Sequence, residues 1–324
     1  MREITYSQAL NEAIKEEMRR DERIFMIGED VALHGGTYGI SKGLLQEFGE
    51  RRVKDTPISE TAIVGTGIGA AITGLRPIVE IMYIDFTTVC MDQIVNQLAQ
   101  IHYMTGGMVK VPLVIRTQGG SGTGEAAHHT KSLEAWFVHI PGLKVAMPST
   151  SYDAKGLFKT AIRNDDPVIF IDHKLLFPIK GPVPEEEYLI PFGKADVKRK
   201  GKDITIVATS FMVHKALKAG EVLQQEGISI EVIDPRTLTP FDKGTIIDSI
   251  KKTAHLLILQ EACERCSMAG EIIREVIEDC FDYLDVSPKV LAGKVNPMPY
   301  SEPLEKATIP QEEDLIEVVK EMLS

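Results

Sequence analysis

Along roughly the first 175 residues, short apolar runs alternate with stretches of helical spacing. RIFMIG (23–28), PIVEIMYI (77–84), VPLVIR (111–116), LKVAM (143–147) and PVIFID (167–172) have the run length and apolarity of strands buried on both faces. Leu10, Ile14 and Met18 repeat at helical spacing behind Ser7, which predicts a helix capped by that serine. Helices are also predicted around 87–104 and 152–163. This alternation implies βα units and a parallel sheet.

Residues 176–200, FPIKGPVPEEEYLIPFGKADVKRKG, then mix prolines, glycines and an acidic triplet. The segment reads as a linker, with Glu185, Glu186 and Glu187 a solvated charge run. A second alternating block follows. ITIVAT (204–209), SIEVID (229–234) and HLLILQ (255–260) are strand patterns, and 211–226, 243–252, 268–280 and 311–323 are helical. The expected fold class is α/β in two domains, 1–178 and 201–324 joined by 179–200, each a mostly parallel sheet with helices on both faces.

Between the first strands lies DTPISETAIVGTGIGAAITG (55–74), whose GTGIGA nearly satisfies the dinucleotide-binding pattern G-x-G-x-x-G/A. That pattern must follow a buried strand and open a helix. Here the preceding residues include Pro57, Ser59 and Glu60, which look like a helix entrance capped by Ser59. The predicted helix runs from about 60 to 73 and ends at Gly74. It is apolar nearly all round, so it should be buried, with Gly65 and Gly69 on one face admitting a close neighbour. A nicotinamide dehydrogenase therefore rests on GTGIGA alone. Glu60 has two readings: a surface glutamate at a helix N-terminus, or a partly buried proton-relay carboxylate awaiting a ligand nitrogen.

QGGSGTGEAAHHTKS (118–132) carries four glycines and then adjacent histidines. Glu125 follows Gly124 where a phosphate loop needs Lys-Ser/Thr, so a mobile functional loop is expected instead. His128 and His129 diverge too much to be a metal pair. Each is either an exposed loop histidine or an acid–base group. Trp136 and Phe137 read as core residues.

The 324 residues are 44% hydrophobic and 26% charged, with net charge −11. The acidic balance excludes nucleic acid or anionic membrane as the main partner, since both need a basic patch. No run approaches 18 apolar residues, the start MREITYSQALNEAIKEEM is not a signal peptide, and four cysteines make no disulfide framework. A cytoplasmic location is expected. Cys263 and Cys266 form a CxxC with no second pair to complete a zinc site; packing or chance spacing is the reading, a redox or metal role the alternative.

With these residues in view, the chain resembles the beta subunit of the thiamine-diphosphate-dependent first component of 2-oxo acid dehydrogenase complexes. The resemblance spans essentially the whole chain: MIGEDV (26–31), DTPISE (55–60), GLRPIVEI (74–81), DQIVNQ (92–97), YMTGG (103–107), SLEAWFVHIPGLKV (132–145), YDAKGL (152–157), DPVIF (166–170), DPRTLTP (234–240) and NPMPYSEPLE (296–305). It implies a pyrimidine-binding domain followed by a transketolase C-terminal-type domain. It also implies that Glu60 shares a proton with the cofactor's aminopyrimidine nitrogen, with Ile58, Met82 and Phe86 against the ring. His129 would assist acyl transfer to lipoamide, within His128-His129-Thr130-Lys131 where the family usually has Gln-His-Ser-Gln.

Further implied are a potassium ion held through Leu113, Ala161, Ile162, Asn164 and Asp166, and an α2β2 assembly with an alpha subunit. The family's GDG…N motif for Mg2+ and the diphosphate is missing here, so that half of the site is expected on the alpha subunit. A lipoyl-bearing acyltransferase core would take the acyl group from a small-molecule substrate. YMTGG, SLEAWF, EIMYIDF, VPEEEYLIP and HKLLF look most like the acetoin type, with pyruvate second and branched-chain 2-oxo acids third. A non-catalytic assembly subunit is the rival from another class.

Overall fold

The computed structural model describes all 324 residues, which divide into two compact units. The first comprises Met1–Gly119, Trp136–Ala146 and Thr150–Phe192; the second comprises Gly120–Ala135, Met147–Ser149 and Gly193–Ser324. No helix is long and apolar enough to cross a membrane.

The first unit opens with β1 (Arg2–Thr5) and α1 (Tyr6–Arg20). Thr5, not Ser7, caps the helix. Its hydroxyl accepts from the Gln8 amide at 3.2 Å while the Gln8 side chain accepts from the Thr5 amide at 2.9 Å. Glutamine three residues after threonine closes this reciprocal pair, which serine at position 7 could not form. Next come β2 (Ile24–Gly28), α2 (Leu44–Phe48), β3 (Val53–Asp55), α3 (Glu60–Ile72), β4 (Arg76–Ile81), α4 (Ile101–Met104), β5 (Val114–Gly119), α5 (Glu134–Val138), β6 (Lys144–Ala146), α6 (Ser151–Arg163), β7 (Val168–His173) and β8 (Lys180–Val183).

Within this unit the parallel sheet runs β6-β7-β5-β4-β2-β3. Its central strands are buried along their whole length, as their unbroken apolar runs require. The apolar stripe of α1, including Leu10, Ile14 and Met18, is buried too. Alongside it, Glu16 and Glu17 reach α6. Glu16 accepts from Lys155 at 2.6 Å and Lys159 at 2.8 Å, and Glu17 from Arg163 at 2.7 Å.

The helix expected over 87–104 is broken into a 3-10 segment (Ile84–Cys90), a π turn (Gln93–Leu98) and α4. The hydroxyls of Thr87 and Thr88 bond back to the carbonyls of Ile84 and Asp85 at 2.6 and 2.8 Å. Such back-bonding, together with β-branched crowding, competes with a regular helix.

In the second unit, β9 (Asp196–Arg199), β10 (Ile204–Ala208), β11 (Ile230–Asp234), β12 (Thr237–Thr239), β13 (Leu256–Cys263) and β14 (Lys289–Gly293) interleave with α7 (Phe211–Gln225), α8 (Lys243–Thr253), α9 (Met268–Cys280), α10 (Glu302–Thr308) and α11 (Glu312–Met322). The sheet order is β14-β13-β10-β11-β9, parallel except for β9 at the edge. Ile204, Ile206, Val232, Leu257 and Leu259 pack under Met212, Val213 and Leu223 of α7 and Leu315 and Val319 of α11.

Residues 179–200, expected to be a linker, give each unit a strand: β8 pairs antiparallel with β1, and β9 with β11. Of the acidic triplet, Glu187 is drawn into an ion pair with Arg163. Trp136, expected in the core, is 52% exposed, whereas Phe137 is buried.

GTGIGA lies in the body of α3, so its glycines do not open a helix, and the phosphate-cradling geometry is absent. Their role is packing, but through a different residue from the pair expected. A Cβ on Gly67 would lie 2.5 Å from Val79 Cγ2 and 2.9 Å from Leu113 Cδ1, whereas Gly69 has nothing within 4 Å. The helix is also buried on one face only, with Thr61, Ala62, Thr66 and Ile72 exposed in this chain. Gly67→Ala should therefore destabilise the chain by about 1–3 kcal/mol through overpacking. Gly69→Ala should be neutral or stabilise it by up to about 1 kcal/mol through helix propensity. Urea unfolding of the two variants checks the contrast; equal effects would refute it.

Candidate active site

Parallel strands bring their carboxyl ends to one edge of the sheet. In the first unit β2 lies between β3 and β4, so the chain leaves β2 toward one side and returns on the other. That reversal opens a crevice at the strand ends where ligands bind in open α/β sheets. The residues at those ends are Glu29 after β2, the 56–60 segment after β3, and Met82–Phe86 after β4. The Thr56 amide donates to Gly28 O at 3.0 Å and ties two of these ends together. Gly28 itself admits no side chain, because a Cβ would lie 2.8 Å from Glu80 O.

Glu60 is the first residue of α3 and only 6% exposed. Its carboxylate has no hydrogen bond or ion pair within the chain, and the residue is buried rather than at the surface. Ser59 occupies the cap position without capping. Its hydroxyl donates to Pro57 O at 3.1 Å instead, and the helix N-terminus is left to face the carboxylate. Burial, and then the negative charges of Glu60 and Asp30, push the Glu29 carboxyl above its ordinary range. Burial, with Glu60 adding to it, pushes the Cys90 thiol up to about 12.

Ile58 is 81% exposed beside this pair, and Met82 and Phe86 are half-buried. The Phe86 amide donates to Tyr83 O at 2.9 Å, and the Thr37 hydroxyl donates to the Met82 sulfur. Ile58, Glu60, Met82 and Phe86 thus all belong to the strand ends of one unit, whereas His129 belongs to the second unit. A buried carboxylate lacking a partner, among apolar side chains, fits a flat apolar ring that carries a protonatable nitrogen. No group of three or more His, Cys, Asp or Glu is arranged to hold a metal ion.

Beneath these ends lies a charge network that sequence pattern did not single out. Arg116 of β5 is fully buried between Glu80 of β4, at 2.6 Å, and Asp172 of β7, at 2.7 Å. Gln118 donates to the second Glu80 oxygen at 3.1 Å, and the Tyr6 hydroxyl donates to Asp172. The guanidinium also lies 5.4 Å from the centre of the Phe177 ring. The available signal was charged residues within three fully buried strands, Glu80, Arg116 and Asp172, which are tolerable only if the charges meet. Glu29 and Cys90 were missed as well; only their place beside Glu60 marks them.

In the second unit, the glycine-rich loop is held rather than free. Its Ser121 amide donates to Glu261 at 2.6 Å, and its Gly122 amide donates to Glu305 at 2.7 Å. Gly120, Gly122 and Gly124 all have positive φ, which accounts for the glycines. Lys131, in place of the family's Gln, donates to Ala127 O at 2.7 Å, and Thr130 to Ala126 O at 2.5 Å. The departure therefore closes the turn that carries His128 and the half-buried His129. His128 and Lys131 line a cavity of about 510 Å³ together with Glu261, Cys263 and Lys294. Cys263 and Cys266 are free thiols and exposed, not packed.

The residues expected around a potassium ion end α6 and flank β5. The carbonyl oxygens of Leu113, Ala161, Ile162 and Asn164 accept hydrogen bonds already. Ile162 O and Asn164 O accept from Arg76, Ala161 O from the Asn164 amide at 3.1 Å, and Leu113 O from the Val168 amide at 2.9 Å. Lys144 reaches Asn164 Oδ1 at 2.9 Å and Asp166 Oδ2 at 2.7 Å. As arranged, this donor set is turned toward fixed cations and does not fit a further ion.

The fold is that of a transketolase-like protein. Residues 2–180 match the transketolase pyrimidine binding domain and 193–315 the transketolase C-terminal domain. A split-gene transketolase, described as an inactive β4 tetramer, superposes with TM-score 0.81 over 99% of this chain and 98% of its own, at 20% identity. The chain is 46% identical to the beta subunit of acetoin:2,6-dichlorophenolindophenol oxidoreductase of Bacillus subtilis, over 99% of this chain and 98% of the relative. It is 45% identical to the pyruvate dehydrogenase E1 component subunit beta of Rickettsia felis, with the same coverage. The chain belongs to this family of E1 beta subunits, thiamine-diphosphate-dependent oxidoreductases of transketolase-like fold.

The buried network has a pH signature. Burial pushes the Asp172 carboxyl up to about 6 despite the opposing Arg116 charge. Its folded pKa thus lies above the unfolded value of about 3.9. The stabilisation it contributes is fully present below that unfolded value and is lost as pH rises through about 6. A carboxyl carbon resonance titrating near pH 6, absent in Asp172→Asn, is expected by NMR. A resonance titrating at the unfolded value would refute the assignment.

Proposed function

We propose that this chain is the beta subunit of a thiamine-diphosphate-dependent acetoin dehydrogenase, active as an α2β2 assembly with an alpha subunit. The observation that carries the reading is Glu60, a buried carboxylate at the strand-end crevice with no partner in its own chain. When bound, thiamine diphosphate supplies the nucleophilic carbon and the electron sink for cleavage beside a carbonyl. The chain's own part is to hold and orient the aminopyrimidine ring. Ile58, Met82 and Phe86 pack against it and exclude water, while Glu60 exchanges a proton with the ring nitrogen. Burial, with Glu60 and Asp30 nearby, raises the pKa of Glu29, so it takes up a proton more readily than a solvent carboxyl. His129, on its pinned loop, is proposed to assist acyl transfer to the lipoyl group of an acyltransferase core. The diphosphate and Mg2+ are proposed to be held mainly by the alpha subunit.

Acetoin ranks first because of YMTGG, SLEAWF and EIMYIDF; Met82 and Phe86 stand where branched-chain enzymes tend to carry Gln and Tyr. Pyruvate is the second reading, favoured by the names of relatives equally similar to this chain. The deciding experiment is co-expression with the neighbouring alpha gene, followed by assays on acetoin, pyruvate and 2-oxoisovalerate with an artificial electron acceptor. Turnover of acetoin at least about tenfold above pyruvate is expected, and the reverse order overturns the substrate reading. Glu60→Gln in the intact assembly should lower turnover by about 100-fold or more. Unchanged turnover would make this a non-catalytic assembly subunit.

A further inference from the structure

The carbonyls at the end of α6 converge, and converging carbonyl dipoles need positive charge among them. In this chain that charge arrives covalently. Arg76, the first residue of β4, is 8% exposed and points its guanidinium at the turn after α6. Its Nε donates to Ile162 O at 3.0 Å, Nη2 donates to Asn164 O, and Nη1 meets Asp165 Oδ1 at 3.0 Å. The rigid, planar fork satisfies oxygens lying in different directions, as a spherical ion would, but without loss to solvent. Around it, Lys144 neutralises Asn164 Oδ1 and Asp166 Oδ2, and the Asp166 amide donates to the same Asn164 oxygen at 3.0 Å. Lys110 takes the other Asp165 oxygen at 2.7 Å, and these two cations hold the Asp165 carboxyl below its ordinary range. A further monovalent cation would enter beside three fixed positive charges that outnumber the two carboxylates of Asp165 and Asp166, with the Leu113, Ala161, Ile162 and Asn164 carbonyls already accepting hydrogen bonds.

We propose that the Arg76 guanidinium, assisted by Lys144, is the built-in cation of this carbonyl cradle, so that the chain folds and holds its α6–β7 turn without bound potassium. The inference is independent of the substrate reading above, since it concerns stability rather than turnover. Its test is thermal unfolding of the full chain, followed by near-ultraviolet circular dichroism, in KCl, NaCl and choline chloride at equal ionic strength. The wild-type Tm is expected to agree within about 1 °C across the three salts, which is below the shift that one kcal/mol produces. A saturable rise in KCl alone would overturn the proposal. Arg76→Met keeps the length of the side chain and removes the charge. It is expected to melt at least about 3 °C lower in choline chloride and to recover in KCl. A variant that melts with the wild type, or one that stays low in KCl, would overturn the assignment of this cradle's charge to Arg76. Should Arg76→Met fail to fold, the wild-type salt series decides alone.

Discussion

Arg116 is the constraint around which the first unit is organised. A guanidinium with no water around it is tolerable only if carboxylates meet it, and here they come from the strands on either side: Glu80 of β4 accepts a hydrogen bond, and Asp172 of β7 lies at ion-pair distance. Each partner must therefore sit in register, since losing one partner of a buried pair costs about 3–5 kcal/mol. Register is a property of the whole strand. Locking Glu80 beside Arg116 also fixes Ile81 and the Met82–Phe86 segment that follows it. The raised pKa of Asp172 adds that this network need not carry its full negative charge to be satisfied.

The crevice above obeys the opposite rule. Where the network pairs every charge, the strand ends leave Glu60 without a partner and place Glu29 near enough to raise its pKa. Burying a carboxylate without a partner costs stability. The same division of labour recurs at the turn after α6. There Arg76 donates to Ile162 O and Asn164 O, and Lys144 to Asn164 Oδ1, so these oxygens are met from within the chain.

Much of this was legible beforehand, for identifiable reasons. Strands such as VIFID and IFMIG announce themselves because a doubly covered sheet demands unbroken apolar runs. Glu60 stood out because it precedes an apolar helix. Other features were hidden because they depend on what lies across a gap. Gly65 and Gly69 have the spacing of a packing face, yet Gly67 is the residue under which Val79 and Leu113 pass. Trp136 has the character of a core residue but faces out, and the 84–104 segment has helical spacing but is broken by threonine back-bonding.

The sequence by itself determined the class of fold, the order of elements and the family, and it showed that the glycines after DTPISE do not open a helix. Those follow from periodicity, from residue type, and from motifs that are local in the chain. Only the tertiary structure decided that Glu60 is buried without a partner, that Glu80, Arg116 and Asp172 form one network, and that Arg76 occupies the carbonyl cradle. The last two join residues 36 or more positions apart. Their energies depend on distance and burial, which no local pattern encodes.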